Sequence, residues 1–234
     1  MKNLSQYLAV IAGLGAWGNP EHVSPSVIEA AKNSGMLIVP RADPQIPGLA
    51  ENLTASLIPG KILTPLHFPM TRNTSLRDSI ILSQLRALKP KLEQAGKIFF
   101  PVIGDATLYS TGQYFLEALR KVISPVEARF IPGISAHSLA ASVARQFLAS
   151  DDEIMTIIPG TSSPDKIRNA LNSCDCAAIY KPSALKELPP ELSQFSRIIR
   201  VDFAGDPQRQ RIYEGLDAVM SSEMPYMSVL LLWR

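Results

Sequence analysis

Cysteine is nearly missing: Cys174 and Cys176 are the only two in 234 residues. Their C-x-C spacing puts both side chains on one face of a strand, a poor geometry for a disulfide. No ligand cluster adjoins them that would make a zinc site. They read as buried thiols in a reducing compartment, which points to the cytoplasm. Histidine is equally scarce. His22, His67 and His137 have no metal-ligand spacing and no H-E-x-x-H pattern, so no metal centre is expected. An excess of one charge is also absent. Lys and Arg number 23 against 21 Asp and Glu, a formal net charge of +2. A nucleic-acid binder carries a larger basic excess or a basic stripe. No long apolar run occurs. Residues 7–14 are too few to cross a bilayer and run into Gly13 and Gly15, so they read as a first buried strand, with no membrane partner. Ser110 lacks a G-x-S-x-G elbow, which removes the support for a hydrolase triad.

What is present is a β/α alternation. Strands are predicted at residues 7–12, 36–39 (stopped by Pro40), 61–66, 97–103 and 126–131. Between them lie helix-compatible segments. One spans residues 24–33, with Ser24 as N-cap and Pro25 at its first position. A second spans 74–94, carrying Leu76, Ile80, Ile81, Leu85 and Leu88 at helical spacing and ended by Gly96. A third spans 113–122. This alternation predicts an α/β protein whose N-terminal domain is a mostly parallel five-stranded sheet with helices on both faces. After a small-residue helix at 135–145 the pattern changes. Strands at 153–158, 177–180, 197–203, 210–213 and 227–233, with a Gly-Asp-Pro turn after residue 204, predict a mixed sheet with helices. The domains are placed at residues 1–134 and 135–234, with a cleft between them.

Ligands of parallel sheets bind beyond the carboxyl ends of the strands. Gly13, Gly15, Gly104 and Gly133 all fall there. The segment Gly13-Leu14-Gly15-Ala16-Trp17-Gly18-Asn19-Pro20 resembles a nucleotide loop, but its third glycine is out of step with a dinucleotide fingerprint and no acid follows at the required distance. A tight structural turn and a ligand loop both remain open. Ile103-Gly104-Asp105-Ala106-Thr107-Leu108-Tyr109-Ser110-Thr111 is more informative. Gly104 can let a ligand lie against the main chain, whereas Asp105 can equally cap the next helix through the Thr107 or Leu108 amide. Ile131-Pro132-Gly133-Ile134-Ser135-Ala136 repeats the scheme one strand later.

In order along the chain, these stretches resemble the tetrapyrrole (corrin/porphyrin) methylase family. The likeness extends to Leu57-Ile58-Pro59-Gly60-Lys61, Leu66-His67-Phe68-Pro69-Met70-Thr71-Arg72, Ile158-Pro159-Gly160-Thr161 and Pro225-Tyr226-Met227-Ser228. Within the family it runs to the C20-methyltransferases of precorrin-2 or cobalt-factor II. The resemblance implies a homodimeric enzyme that uses S-adenosylmethionine to methylate a tetrapyrrole in cobalamin biosynthesis. It carries cofactor contacts over to Ile103, Gly104, Asp105, Leu108, Ser135, Ala136, Lys181 and Gly205. Because such a substrate is a polycarboxylate, Arg41 and Arg72, which follow strand ends, are the expected clamps. Tyr109 or water is the expected proton acceptor. Three departures stand out. Ala16-Trp17-Gly18-Asn19 replaces the family's glycine-proline-glycine-aspartate, Ala106 replaces the proline after Gly-Asp, and Pro40 stands where uroporphyrinogen-III methylases place an acid. The last disfavours that sister activity. The first two leave another methylase of the family, or a non-catalytic relative that binds the cofactor, as alternatives.

Overall fold

The computed structural model describes residues 7–71, 73–185, 190–220 and 223–234. The chain divides into two compact units, residues 1–134 and 135–234.

The first unit is built on a parallel sheet. Its strands are β1 (Tyr7–Gly13), β2 (Met36–Arg41), β3 (Leu63–His67), β4 (Lys97–Val102) and β5 (Val126–Ile131), in the order β3-β2-β4-β1-β5. The central strands read as unbroken apolar runs because both of their faces are buried. In β1, Val10 and Ala12 join a core with Val27 of α1 (Pro25–Lys32) and Leu53 of α2 (Leu49–Leu57). Ala9 and Ile11 join the opposite core, with Ile81 of α3 (Thr74–Ala87), Leu92 of α4 (Lys89–Ala95) and Phe115 of α5 (Gly112–Arg120). Phe100 of β4 stacks on Phe115 at 4.1 Å between ring centroids and 5° between planes, which fixes α5 to the sheet.

Three local expectations need correction. Pro40 does not stop β2, which continues to Arg41. By then β2 has left β4, which it pairs only at Met36 and Leu37, so the missing proline N–H falls beyond that ladder. The helix expected over residues 74–94 is two helices, broken at Leu88. Pro90 causes the break, because its ring has no N–H for the turn before it and crowds the carbonyl four residues back. Ser24 does occupy the N-cap of α1, but its hydroxyl makes no capping bond.

The second unit is a mixed sheet of β6 (Met155–Pro159), β7 (Cys176–Tyr180), β8 (Arg197–Asp202), β9 (Arg211–Glu214) and β10 (Ser228–Trp233). Their order is β6-β7-β10-β8-β9, with only β6 and β7 parallel. The strands on either side of the Gly-Asp-Pro turn, β8 and β9, pair antiparallel as a hairpin. The alanines of α6 (Ala136–Ala144) let that helix sit close to Val201 and Leu231. On the other face Ile167 and Leu171 of α7 (Pro164–Asn172) meet Leu230, together with Val219 of α8 (Leu216–Met220). This core holds an ion pair. Arg200 is fully buried, and its Nη2 donates to Asp202 Oδ2 at 2.8 Å while its Nη1 donates to the Val219 carbonyl at 2.7 Å. The Ser228 hydroxyl lies 2.6 Å from Asp202 Oδ1 and 2.8 Å from the Pro225 carbonyl. Residues two apart on a strand share a face, which is how Arg200 reaches Asp202. Among the described residues no helix is long and apolar enough to cross a membrane.

Candidate functional site

The carboxyl ends of β1, β4 and β5 lie side by side, and their glycines divide into two roles. A Cβ placed on Gly13 would stand 2.5 Å from Gly133 N and 2.6 Å from Gly104 O. One placed on Gly133 would overlap the same Gly104 oxygen. These two glycines exist so that three strand ends can touch backbone to backbone. Gly104 differs. Its φ is +82°, and the place its Cβ would take has nothing within 4 Å. Its amide donates to the Gly15 carbonyl at 2.8 Å, and the two residues form an isolated bridge. A ligand lying on Gly104 therefore meets a bare Cα rather than a free amide.

The residues after Gly104 form a tight loop. Asp105 Oδ1 accepts from both the amide and the hydroxyl of Thr107, each at 2.7 Å. This is an Asx-type turn, not a helix cap, since α5 begins only at Gly112. Ile103 and Gly104 lead into this turn and Leu108 follows it. Tyr109 follows with φ of +49° and is half exposed. It borders a cavity of about 300 Å³ beside Gln113, Leu116, Glu117, Arg120 and Phe130.

In the second unit, Ser135 and Ala136 open α6. Ser135 Oγ lies 3.2 Å from His137 Nε2 and 2.9 Å from Ser138 Oγ. The Tyr180 hydroxyl accepts from the His137 amide at 3.1 Å and lies 2.7 Å from its Nδ1. The start of α6 is thereby tied to the end of β7. The sequence reading gave neither His137 nor Tyr180 a part in the site. The available signals were the position of His137 two residues past Ser135 and of Tyr180 just before Lys181. Lys181 is left-handed (φ +53°), and its ammonium lies 5.4 Å from the Tyr226 ring centre. Gly205 (φ +87°) heads the β8–β9 turn and donates to Gln210 Oε1 at 2.8 Å. The Phe203 amide bonds the Met227 carbonyl at 2.8 Å, so the Gly205 turn and the Tyr226 segment are joined as well.

The two arginines fare differently. Arg72 lies outside the described residues. Arg41 grips Glu51 through Nε and Nη2, both at 2.6 Å, and its Nη1 donates to the Pro44 carbonyl at 2.9 Å. The edge of the guanidinium that would fork a substrate carboxylate is occupied by Glu51. These bonds hold the Glu51 carboxyl below its ordinary range and raise the arginine further. Both thiols are buried, and desolvation pushes Cys176 up to about 11 and raises Cys174 too, so neither is a nucleophile.

Known proteins bear on this geometry. Residues 10–216 match the family model for Tetrapyrrole (Corrin/Porphyrin) Methylases. A probable cobalt-precorrin-2 C(20)-methyltransferase of Methanocaldococcus jannaschii is 26% identical over 170 residues, 73% of this chain and 70% of that one. The cobalt-precorrin-2 C(20)-methyltransferase of Salmonella typhimurium is 25% identical over 115 residues, 49% of this chain and 47% of that enzyme. Uroporphyrin-III C-methyl transferase of Thermus thermophilus, solved in complex with S-adenosyl homocysteine, superposes with a TM-score of 0.65 at 16% identity. That likeness covers 97% of each chain. With the family model spanning most of its length, the chain belongs to the tetrapyrrole (corrin/porphyrin) methylase family.

Proposed function

We propose that the protein transfers a methyl group from S-adenosylmethionine to C20 of precorrin-2 or its cobalt form, as a cytoplasmic homodimer. The observation that carries this reading is Gly104, a left-handed glycine at the end of a central parallel strand with open space over its Cα. That is the surface on which a flat, extended cofactor can lie. Family membership supports methyl transfer, and the two cobalt-precorrin-2 relatives support this substrate. The Thermus relative supports the donor, since the demethylated form of S-adenosylmethionine was bound in it. Two buried free thiols suit a reducing compartment.

When bound, the sulfonium supplies a methyl group that is already electrophilic. The chain's part is orientation, which in well-aligned cases is worth roughly 7–11 kcal/mol. By family likeness, Ile103, Gly104, Asp105, Leu108, Ser135, Ala136, Lys181 and Gly205 would hold the cofactor. Tyr109 or water accepts the proton released from the ring carbon. Arg72 binds substrate carboxylates. Arg41 acts first by holding the loop between β2 and α2.

The test is incubation with precorrin-2, with and without cobalt, and methyl-labelled donor, read by mass spectrometry and carbon-13 spectroscopy. One methyl at C20 is expected. Methylation of uroporphyrinogen III at C2 and C7 would overturn the assignment, and no turnover on any tetrapyrrole would favour a non-catalytic binder.

A further inference from the structure

His137 is the only histidine of the second unit, and the methyl transfer described above gives it no task. It stands in the first turn of α6, partly open to solvent, at the centre of a line of polar groups. On one side its Nδ1 lies 2.7 Å from the Tyr180 hydroxyl, whose oxygen also accepts from the His137 amide at 3.1 Å. On the other side its Nε2 lies 3.2 Å from Ser135 Oγ, which lies 2.9 Å from Ser138 Oγ. All four contacts are met when Nδ1 carries the ring proton. A hydroxyl oxygen has two lone pairs, so Tyr180 can accept from the amide and from Nδ1–H together. Nε2 is then the basic nitrogen and accepts from Ser135, which in turn accepts from Ser138.

Within the second unit little else titrates near this ring. α6 packs on β7, β8 and β10. The face they turn to it presents Ala178, Ile199, Val201, Val229 and Leu231 besides Tyr180. Cys176 and Arg197 share that face by strand alternation, but both pair with Trp233, at the far end of the strands. Arg197 is bonded there to Glu214 and Gln146. Lys181 follows Tyr180 directly, and Arg145 closes α6 at its other end.

We propose that His137 receives the proton released by methyl transfer, through the Ser135 hydroxyl. This rests on the methyl-transfer reading above and on the family likeness that puts Ser135 at the cofactor. Tyr109 or water meets the proton first in that reading. Neither a neutral phenol nor water retains an added proton near neutral pH, whereas a neutral imidazole does. The step balances. Forming the new carbon–methyl bond uses a π pair of the ring and leaves the macrocycle with one extra positive charge. The C–H bond at the same carbon then breaks, and its electron pair restores the π system. The proton passes, directly or over one water, to Ser135 Oγ as the proton of Ser135 moves to Nε2. The imidazolium keeps its Nδ1–H on Tyr180 and gives up the added proton to solvent between turnovers.

The test compares wild type with His137→Gln in kcat, in its pH profile and in S-adenosylhomocysteine affinity, using the labelled-donor assay on the full chain. Glutamine can keep a hydrogen bond to Ser135 but cannot take up a proton. Affinity by calorimetry should stay within about twofold while kcat falls roughly 10²–10⁴-fold, the usual contribution of a positioned general base. Wild-type kcat should fall on the acid side, where His137 is already protonated, and the residual rate of the variant should lack that limb. His137→Asn gives the same comparison should the glutamine variant melt early. A variant with wild-type kcat, or with the same acid limb, would overturn the proposal. Parallel losses of kcat and cofactor affinity would do so too, since they mark a purely structural role. An active wild type with an unaffected variant removes this proton route alone. A wild type inactive on every tetrapyrrole removes the methyl-transfer reading and this inference with it.

Discussion

Arg41 and Glu51 meet through two bonds of 2.6 Å, one guanidinium edge against one carboxylate, across the loop that joins β2 to α2. Glu51 also accepts weakly from the Gly48 amide at 3.4 Å, at the N-terminus of the same helix. Arg41→Ala should therefore lower the melting temperature and loosen residues 42–48, and should weaken tetrapyrrole and cofactor binding together. Selective loss of tetrapyrrole affinity at unchanged melting would return Arg41 to the role of substrate clamp.

The same pair gives a pH dependence. Glu51 has its folded pKa depressed below 4.5, so its stabilisation is complete above the ordinary carboxylate range and is lost as pH falls through the folded value. Acid melts of the wild type should show this loss below about pH 4.5, and Glu51→Gln should flatten that part of the profile. An identical acid limb in both proteins would refute the assignment.

Gly104 and Gly13 should respond differently to alanine. Gly104→Ala places a methyl in open space, at a left-handed strain of roughly 1–2 kcal/mol. The protein should stay folded and lose most of its affinity for S-adenosylhomocysteine in calorimetry. Gly13→Ala drives a methyl into two backbones and should destabilise by about 1–3 kcal/mol or more. Unchanged cofactor affinity in folded Gly104→Ala would remove this residue from the site.

Tyr180→Phe deletes the hydroxyl that joins β7 to the His137 amide and ring. A hydrogen bond of this kind contributes about 0.5–1.5 kcal/mol. Because the bond orients the turn bearing Ser135, cofactor affinity should fall several-fold with little change in far-ultraviolet circular dichroism. Equal affinity in mutant and wild type would detach this network from binding.

Asp202→Ala should be among the most damaging changes in the second unit. It strands a fully buried guanidinium, at a cost of about 3–5 kcal/mol. Replacing Arg200 and Asp202 together by apolar residues should cost much less, which a urea melt of both variants would check.

Much of the architecture was legible because period and punctuation agreed. β5 has the bounds its alternating stretch predicts, and the Gly-Asp-Pro turn does close a hairpin. Where tertiary context overrode local signals, the reading failed. Pro40 looked like a strand stop, yet the strand had already left β4 and stays paired with β3 through Arg41. The apolar period across residues 74–94 hid the effect of Pro90. α7 went unread although Ser163-Pro164 repeats the Ser24-Pro25 signal, because a short helix flanked by strands offers few turns to count. The site was legible in part. Strand-end glycines looked alike in sequence, and only their neighbours divide Gly13 and Gly133, which are packed, from Gly104, which is open. Arg41 looked like a free cation because its partner lies ten residues away across a loop.

The bond from Gly104 to the Gly15 carbonyl also bears on how this chain can diverge. What the loop after β1 must deliver to its neighbour is one oxygen at one position, held by a left-handed glycine. The residues that follow, Ala16 to Asn19, carry no share of that bond. Gly18 instead rests near Leu49 and Leu53 of α2. An insertion or exchange there can alter the face shown to a substrate without moving Gly104. Selectivity can thus drift in this loop while the open face of Gly104 stays put.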